Sequence, residues 1–82
     1  MMVKQAYAPT MTDTMVEVFK TDVQTIDQSV KLIRKLRQHI PGIEINFDLE
    51  DCDRVLRIEG EYVPVPRVIK LMNNNGYFCE LL

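Results

Sequence analysis

Cysteine is scarce in this chain: Cys52 and Cys79 are the only two in 82 residues. Two thiols that far apart cannot form the disulfide framework that props up small secreted domains. Basic residues show no excess. Ten Lys and Arg stand against twelve Asp and Glu, for a net charge of −2. A dedicated nucleic-acid binder usually carries a basic surplus, so no nucleic-acid partner is expected. No apolar run approaches the ~20 residues needed to cross a bilayer, so no membrane partner is expected either. The opening stretch MMVKQAYAPTMTDTM lacks an apolar core of signal-peptide length. A cytoplasmic protein is the expectation. What is present is ordinary for a globular chain: 46% hydrophobic and 27% charged residues exclude wholesale disorder. The length allows one domain, read as residues 14–82 behind a flexible arm of residues 1–13.

Met15–Lys20, MVEVFK, alternates and reads as a short strand. Thr25 followed by Gln28 fits a capping box, with Asp22 as a competing cap. Ile26, Val30, Ile33, Leu36 or Arg37, and Ile40 then recur at helical spacing, while Lys31, Arg34, Lys35 and Arg37 fall mostly on the wet side. Basic residues late in a helix suit its negative end. Pro41-Gly42 stops it. From residue 43, Ile43, Ile45, Phe47 and Leu49 alternate strictly with Glu44, Asn46, Asp48 and Glu50, as in a strand with one wet face. EDCD is a turn. Leu56 and Ile58 face inward in a second strand, which completes a hairpin. Two prolines bar residues 61–66 from a central strand. Pro66 opens a short helix that carries Val65, Val68, Ile69 and Met72 on one face, and Gly76 closes it as a left-handed cap. Residues 77–82 form the last strand.

The element order is β-α-β-β-α-β. Two right-handed split β-α-β units give an α+β, ferredoxin-like sandwich: a four-stranded antiparallel sheet, order 4-1-3-2, with both helices on one face. Ile33, Ile45, Phe47, Ile58 and Ile69 are its expected core. The connectivity brings residues 20–26, 50–53 and 73–77 to one end of the sheet, with His39 near the other.

Ile40-Pro41-Gly42-Ile43, the alternating strand to Leu49, the strand through Gly60, and Val68-Ile69-Lys70-Leu71-Met72 followed by Gly76-Tyr77 occur in one order. In this the chain resembles the heavy-metal-associated domain family, the fold of copper chaperones and of the N-terminal modules of copper-pumping ATPases. The likeness covers about 65 residues from Val16 onward. It implies a Met-x-Cys-x-x-Cys loop after the first strand, where two thiolates would hold Cu(I), a soft ion suited to sulfur. That motif is missing. Counting forward from Val18 puts the family's cysteines at Val23 and Ile26; counting back from Gly42 puts them at Ile26 and Ser29. Neither count meets sulfur. The fold is expected to be retained and the metal loop lost, with no cofactor.

Cys52 lies in the β-turn at the same end and is the remaining metal candidate, although one thiolate among scattered acids is a poor cage. Cys79 reads as a small core residue, and His39 as a surface group compensating a helix end. The methionines at positions 1, 2, 11 and 15 read as an accident of the terminus. No enzyme is expected. Acylphosphatases of the same topology carry a glycine-rich anion loop with an arginine, whereas KTDVQT has neither. RNA-recognition domains of this topology present aromatics on their middle strands, where only Phe19 could serve here.

Surface is what is left. With Val16 and Val18 turned to the helices, Phe19 and Phe78 would lie on the open sheet face, rimmed by Glu17, Glu80, Arg57 and Glu59. Exposed aromatics ringed by charge suit a contact surface, which the arm of residues 1–13, a second copy or another protein would cover. The expected function is therefore a non-enzymatic binding domain for a protein partner or homodimer. The alternative is soft-metal handling through non-family ligands such as Cys52.

Overall fold

The structure, a computed structural model, describes residues 14–82. The arm assigned to residues 1–13 lies outside the described residues. Six elements follow one another: β1 (Met15–Thr21), α1 (Ile26–His39), β2 (Ile43–Asp48), β3 (Val55–Gly60), α2 (Val65–Asn74) and β4 (Cys79–Leu81). The strands form one antiparallel sheet in the order β2-β3-β1-β4. This is the expected ferredoxin-like order, counted from the other edge.

Local chemistry sets the boundaries. The Thr25 hydroxyl accepts from the Gln28 backbone N–H at 3.2 Å. The Gln28 side-chain oxygen accepts from the backbone N–H groups of Gln24 at 2.8 Å and Thr25 at 3.3 Å. Donors that would be orphaned at the start of α1 are thus satisfied. At the far end the Ile40 N–H bonds to the Leu36 carbonyl, and Gly42 turns the chain through φ 75°. α2 opens with Pro66 in its first turn and is closed by Gly76 at φ 91°. Only glycine takes these left-handed angles at little cost.

Leu32 and Leu36 of α1 and Val68 and Met72 of α2 press onto Phe19, Ile45, Leu56 and Ile58 of the sheet. Each fully buried side chain of this size contributes about 1.5–3 kcal/mol. Of the five expected core residues, Ile45 and Ile58 are buried, while Ile33, Phe47 and Ile69 are half-buried against the core.

Two facing assignments differ from those read in the sequence. β1 is inverted: Phe19 is fully buried opposite Leu56, and Val16 lies exposed on the open face. Both parities of MVEVFK carry apolar side chains, so alternation could not choose between them. Burying the phenyl ring removes more area from water than burying a valine. Its companion Thr21 goes inside because its hydroxyl is satisfied there. α1 is also turned from the expected face. Ser29, Leu32 and Leu36 are buried, whereas Ile26 and Val30 are 73% and 46% exposed. Ser29 tolerates burial because its hydroxyl donates to the Ile26 carbonyl at 2.7 Å.

Candidate functional site

Three connections meet at one end of the sheet, as the topology requires. The Thr21 N–H bonds to the Asp53 carbonyl at 3.0 Å. The Thr21 hydroxyl donates to the Arg54 carbonyl and accepts from the Val23 N–H. Arg54 Nη1 reaches the Gln24 carbonyl at 3.3 Å, and Asp22 Oδ1 accepts from the Phe78 N–H at 2.8 Å. Buried Thr21 is therefore the knot that ties the β1–α1 loop to the β2–β3 turn. Sequence reasoning passed over it, because a threonine in a strand carries no signal until its partners are known.

This end is where the family likeness places a metal. Val23 is fully buried, Ile26 projects into solvent, and Ser29 is buried with its hydroxyl engaged. These residues do not fit a Cu(I) pair: none offers sulfur, and one has no access to solvent. In the neighbouring turn Asp51, Cys52 and Asp53 bring one sulfur and two carboxylates within 4.8 Å of one another. The Asp51 carboxylate already accepts from the Asp53 N–H at 2.8 Å, and Asp53 lies 3.8 Å from Lys20 Nζ.

The two thiols differ sharply. Cys52 is exposed, while Cys79 is buried against Thr21 of β1 in the strand register. Burial pushes the Cys79 thiol up from 9.0 to about 12, because a thiolate there would lose its hydration. At pH 8 a thiol reagent should modify one cysteine of the folded chain rapidly, and the second only when the chain unfolds. Two equally fast thiols would contradict this packing. The raised value also has a stability consequence with a definite sign. The contribution is complete below about pH 9 and declines between 9 and about 12, where only the unfolded chain releases the proton.

The expected contact surface needs correction at two positions. Phe19 is core and cannot meet a partner. Glu17 pairs with Ile58 in register and is half-buried on the helix side of the sheet. Phe78, Glu80 and Arg57 are exposed. Arg57 bonds with Glu59 at 3.3 Å, flanking an open-face strip of Val16 and Val18, with Leu82 joined to Val18 through its N–H.

A second apolar surface lies where helical spacing and strand alternation predict core. β2 is an edge strand, and no described strand pairs with its outer side. Beside that edge, beneath α1, runs a groove of about 410 Å³ bounded by Ile26, Ile33, Ile45, Phe47 and Leu49. It shares Ile33 with a hollow that Val30, Arg34 and Arg37 complete. Open backbone groups and exposed aliphatics therefore lie side by side along about 20 Å of helix and strand. A sequence signal existed: Ser29-x-x-Leu32-x-x-x-Leu36 offers a competing buried stripe that leaves Ile26 and Val30 outside.

No family model and no curated protein matches this sequence. Among the described residues, no helix is long and apolar enough to cross a membrane.

Proposed function

We propose that this chain is a non-enzymatic binding domain of heavy-metal-associated type with a degenerate metal loop. It works by protein contact, and its first partner is a second copy of itself. The observation that carries this reading is the outer edge of β2, unpaired among the described residues, beside the exposed aliphatics of α1. Exposed strand edges recruit further strands unless they are blunted.

A two-fold axis through Ile45 would pair β2 with its own copy in antiparallel fashion. Residues keep their faces in that register. Ile43 then meets Phe47, and Glu44 meets Asn46, so no like charges stand opposite. Moving the axis to Asn46 would set Glu44 against Asp48, which is unfavourable. The helices complete the match. In this topology α1 runs antiparallel to β2, so Arg34 and Arg37 overlie the start of β2, where the partner's acidic strand end arrives. Val30 and Ile33 meet their own copies across the axis. Each basic helix end thus faces Asp48 and Glu50 of the other copy, and the contact closes as a dimer.

Sedimentation of the full chain should show a concentration-dependent dimer. Replacing Ile26 and Val30 together by Asp should give a monomer with unchanged circular dichroism, since both side chains are exposed. Arg37→Glu should weaken the dimer, and Glu50→Lys added to it should restore association. A native chain that stays monomeric at millimolar concentration excludes this dimer.

A second reading draws on the Asp51-Cys52-Asp53 cluster: a divalent soft-metal carrier. Its donor set has one thiolate, two carboxylates and no histidine, where the usual zinc sites rely on several Cys and His ligands, and Asp53 is already neutralised in part by Lys20. Zinc should be lost to a chromogenic chelator at stoichiometric concentration. Retention through that competition, abolished by Cys52→Ser, would establish the carrier reading instead.

A further inference from the structure

Charge is segregated between the helices and the rest of the described chain. α1 and α2 carry Lys31, Arg34, Lys35, Arg37, Arg67 and Lys70 against a single acid, Asp27. The rest of the described chain carries ten acidic residues against three basic ones. A protein that is acidic overall therefore presents an electropositive helix layer. Such a field draws anions to one side.

Within that layer one concavity gathers the charge. Between the last turns of α1 and the length of α2 lies a cleft of about 410 Å³. Lys35, Arg67 and Lys70 line it, with His39 and Asn74, above a floor that includes Ile40 and Leu71. Among the described residues no acidic side chain borders it. Glu61 lies in the adjoining hollow, beyond the shared wall of Ile40 and Arg67. Among the described residues the ion pairs are Lys20–Asp53 and Arg57–Glu59, so the three cations of the cleft have no carboxylate partner. Arg67 is held in place: Nη2 donates to the His39 carbonyl at 2.6 Å, bridging the end of α1 and the start of α2. That bond also compensates carbonyls that would otherwise repel an anion at the helix end. Nδ1 of His39 lies 2.9 Å from the Lys35 carbonyl, which ties the ring to its own helix.

Like charges gathered without counter-charges cost energy when the cleft is empty. A ligand carrying two or more negative charges relieves that cost. The three cations match a diphosphate better than a single carboxylate, since arginine and lysine both donate to phosphate oxygens. The apolar floor accommodates an organic body, and the volume lies in the range of small-molecule sites. We infer that the cleft between α1 and α2 binds an organic diphosphate, held by Lys35, Arg67 and Lys70. This site lies across α1 from the Val30–Arg37 surface and is independent of the dimer.

The test is a titration of the full chain, followed by amide resonances, with ADP, inorganic pyrophosphate and adenosine. ADP and pyrophosphate should both give saturable shifts centred on residues 35, 39, 67, 70 and 74. ADP should bind more tightly, and adenosine should bind weakly or not at all. Lys35→Gln combined with Lys70→Gln should weaken ADP at least about tenfold while the circular-dichroism spectrum stays native. Arg34→Gln combined with Arg37→Gln removes the same charge from the other side of α1 and should leave ADP binding nearly unchanged. Absence of saturable shifts overturns the proposal. So does equal weakening by the two double variants, which would mean diffuse attraction without a site. Binding of single-stranded RNA without binding of pyrophosphate would also overturn it, and would point to a nucleic-acid surface.

Discussion

Phe19→Asp should abolish the fold. The ring is fully buried opposite Leu56, on the face that packs against both helices. Truncating such a ring to the β-carbon costs about 3–5 kcal/mol through lost transfer energy and the cavity left behind. Aspartate adds a carboxylate with no cation beside it, a penalty of further kilocalories whether it ionises or takes up a proton. A domain of this size has roughly 4–10 kcal/mol in total. The native circular-dichroism spectrum and the cooperative urea transition should therefore both disappear. Phe78→Asp is the informative companion: that ring is 45% exposed, and the variant should stay folded with a urea midpoint near the native one. A soluble, folded Phe19→Asp protein would mean that β1 faces the other way and that the open face carries the ring after all.

The contrast between those two phenylalanines shows where the sequence was legible. β2 could be read with its face, because Ile43 to Leu49 put every apolar residue on one parity and every polar residue on the other. β3 followed, since Leu56 and Ile58 share a parity and Arg57 and Glu59 take the other. β1 could be placed but not oriented. Its valines and its phenylalanine sit on opposite parities, and only the cross-strand register with Leu56 and Ile58 decides between them. α1 posed the same problem at helical period. The sequence offers two stripes, and the more apolar one contains Ile26 and Val30. The buried one contains Ser29, a residue that looks polar until its hydroxyl is seen bonded to the Ile26 carbonyl. Tertiary packing selected the stripe, and local pattern could not.

The candidate site inherits these ambiguities. The convergence of three loops at one end followed from connectivity alone, so the neighbourhood of Thr21, Asp53 and Asp22 was foreseeable as a place. The hydrogen bonds that hold it were not. The groove beside β2 is hidden in the sequence because helical spacing and strand alternation both predict its lining residues to be interior. The basic cleft was hidden for another reason. Lys35 and Lys70 are 35 positions apart in sequence, and nothing in either helix says that the two cross at these residues. Charge seen along one helix reads as solubility; charge gathered from two helices into one hollow, with no acid on its rim among the described residues, reads as a site.

The second large effect is expected at Gly60, where space, not backbone conformation, requires glycine. A β-carbon there would stand 2.8 Å from the Gly42 carbonyl oxygen and 3.1 Å from Ile43 Cγ2. Gly60 is paired on both sides, with Met15 of β1 and Ile43 of β2. The Gly42 carbonyl belongs to the turn that the left-handed φ of 75° fixes. Neither side can retreat without breaking sheet pairing, so Gly60→Ala should cost about 1–3 kcal/mol, the usual penalty of overpacking. In a domain this small each kilocalorie lowers Tm by roughly 4–8 °C. The urea midpoint should fall with little change in slope, as for a loss of stability without a change in the surface exposed. Gly76 provides the opposite case. Its added β-carbon meets nothing within 4 Å, but its φ is 91°. Gly76→Ala should therefore destabilise by about 1–2 kcal/mol through conformation alone. Asparagine, which tolerates left-handed angles better than alanine, should recover part of that loss at Gly76 and none at Gly60. Equal recovery at both positions would show that the close approach of Gly60 to Gly42 is not what holds this corner of the sheet.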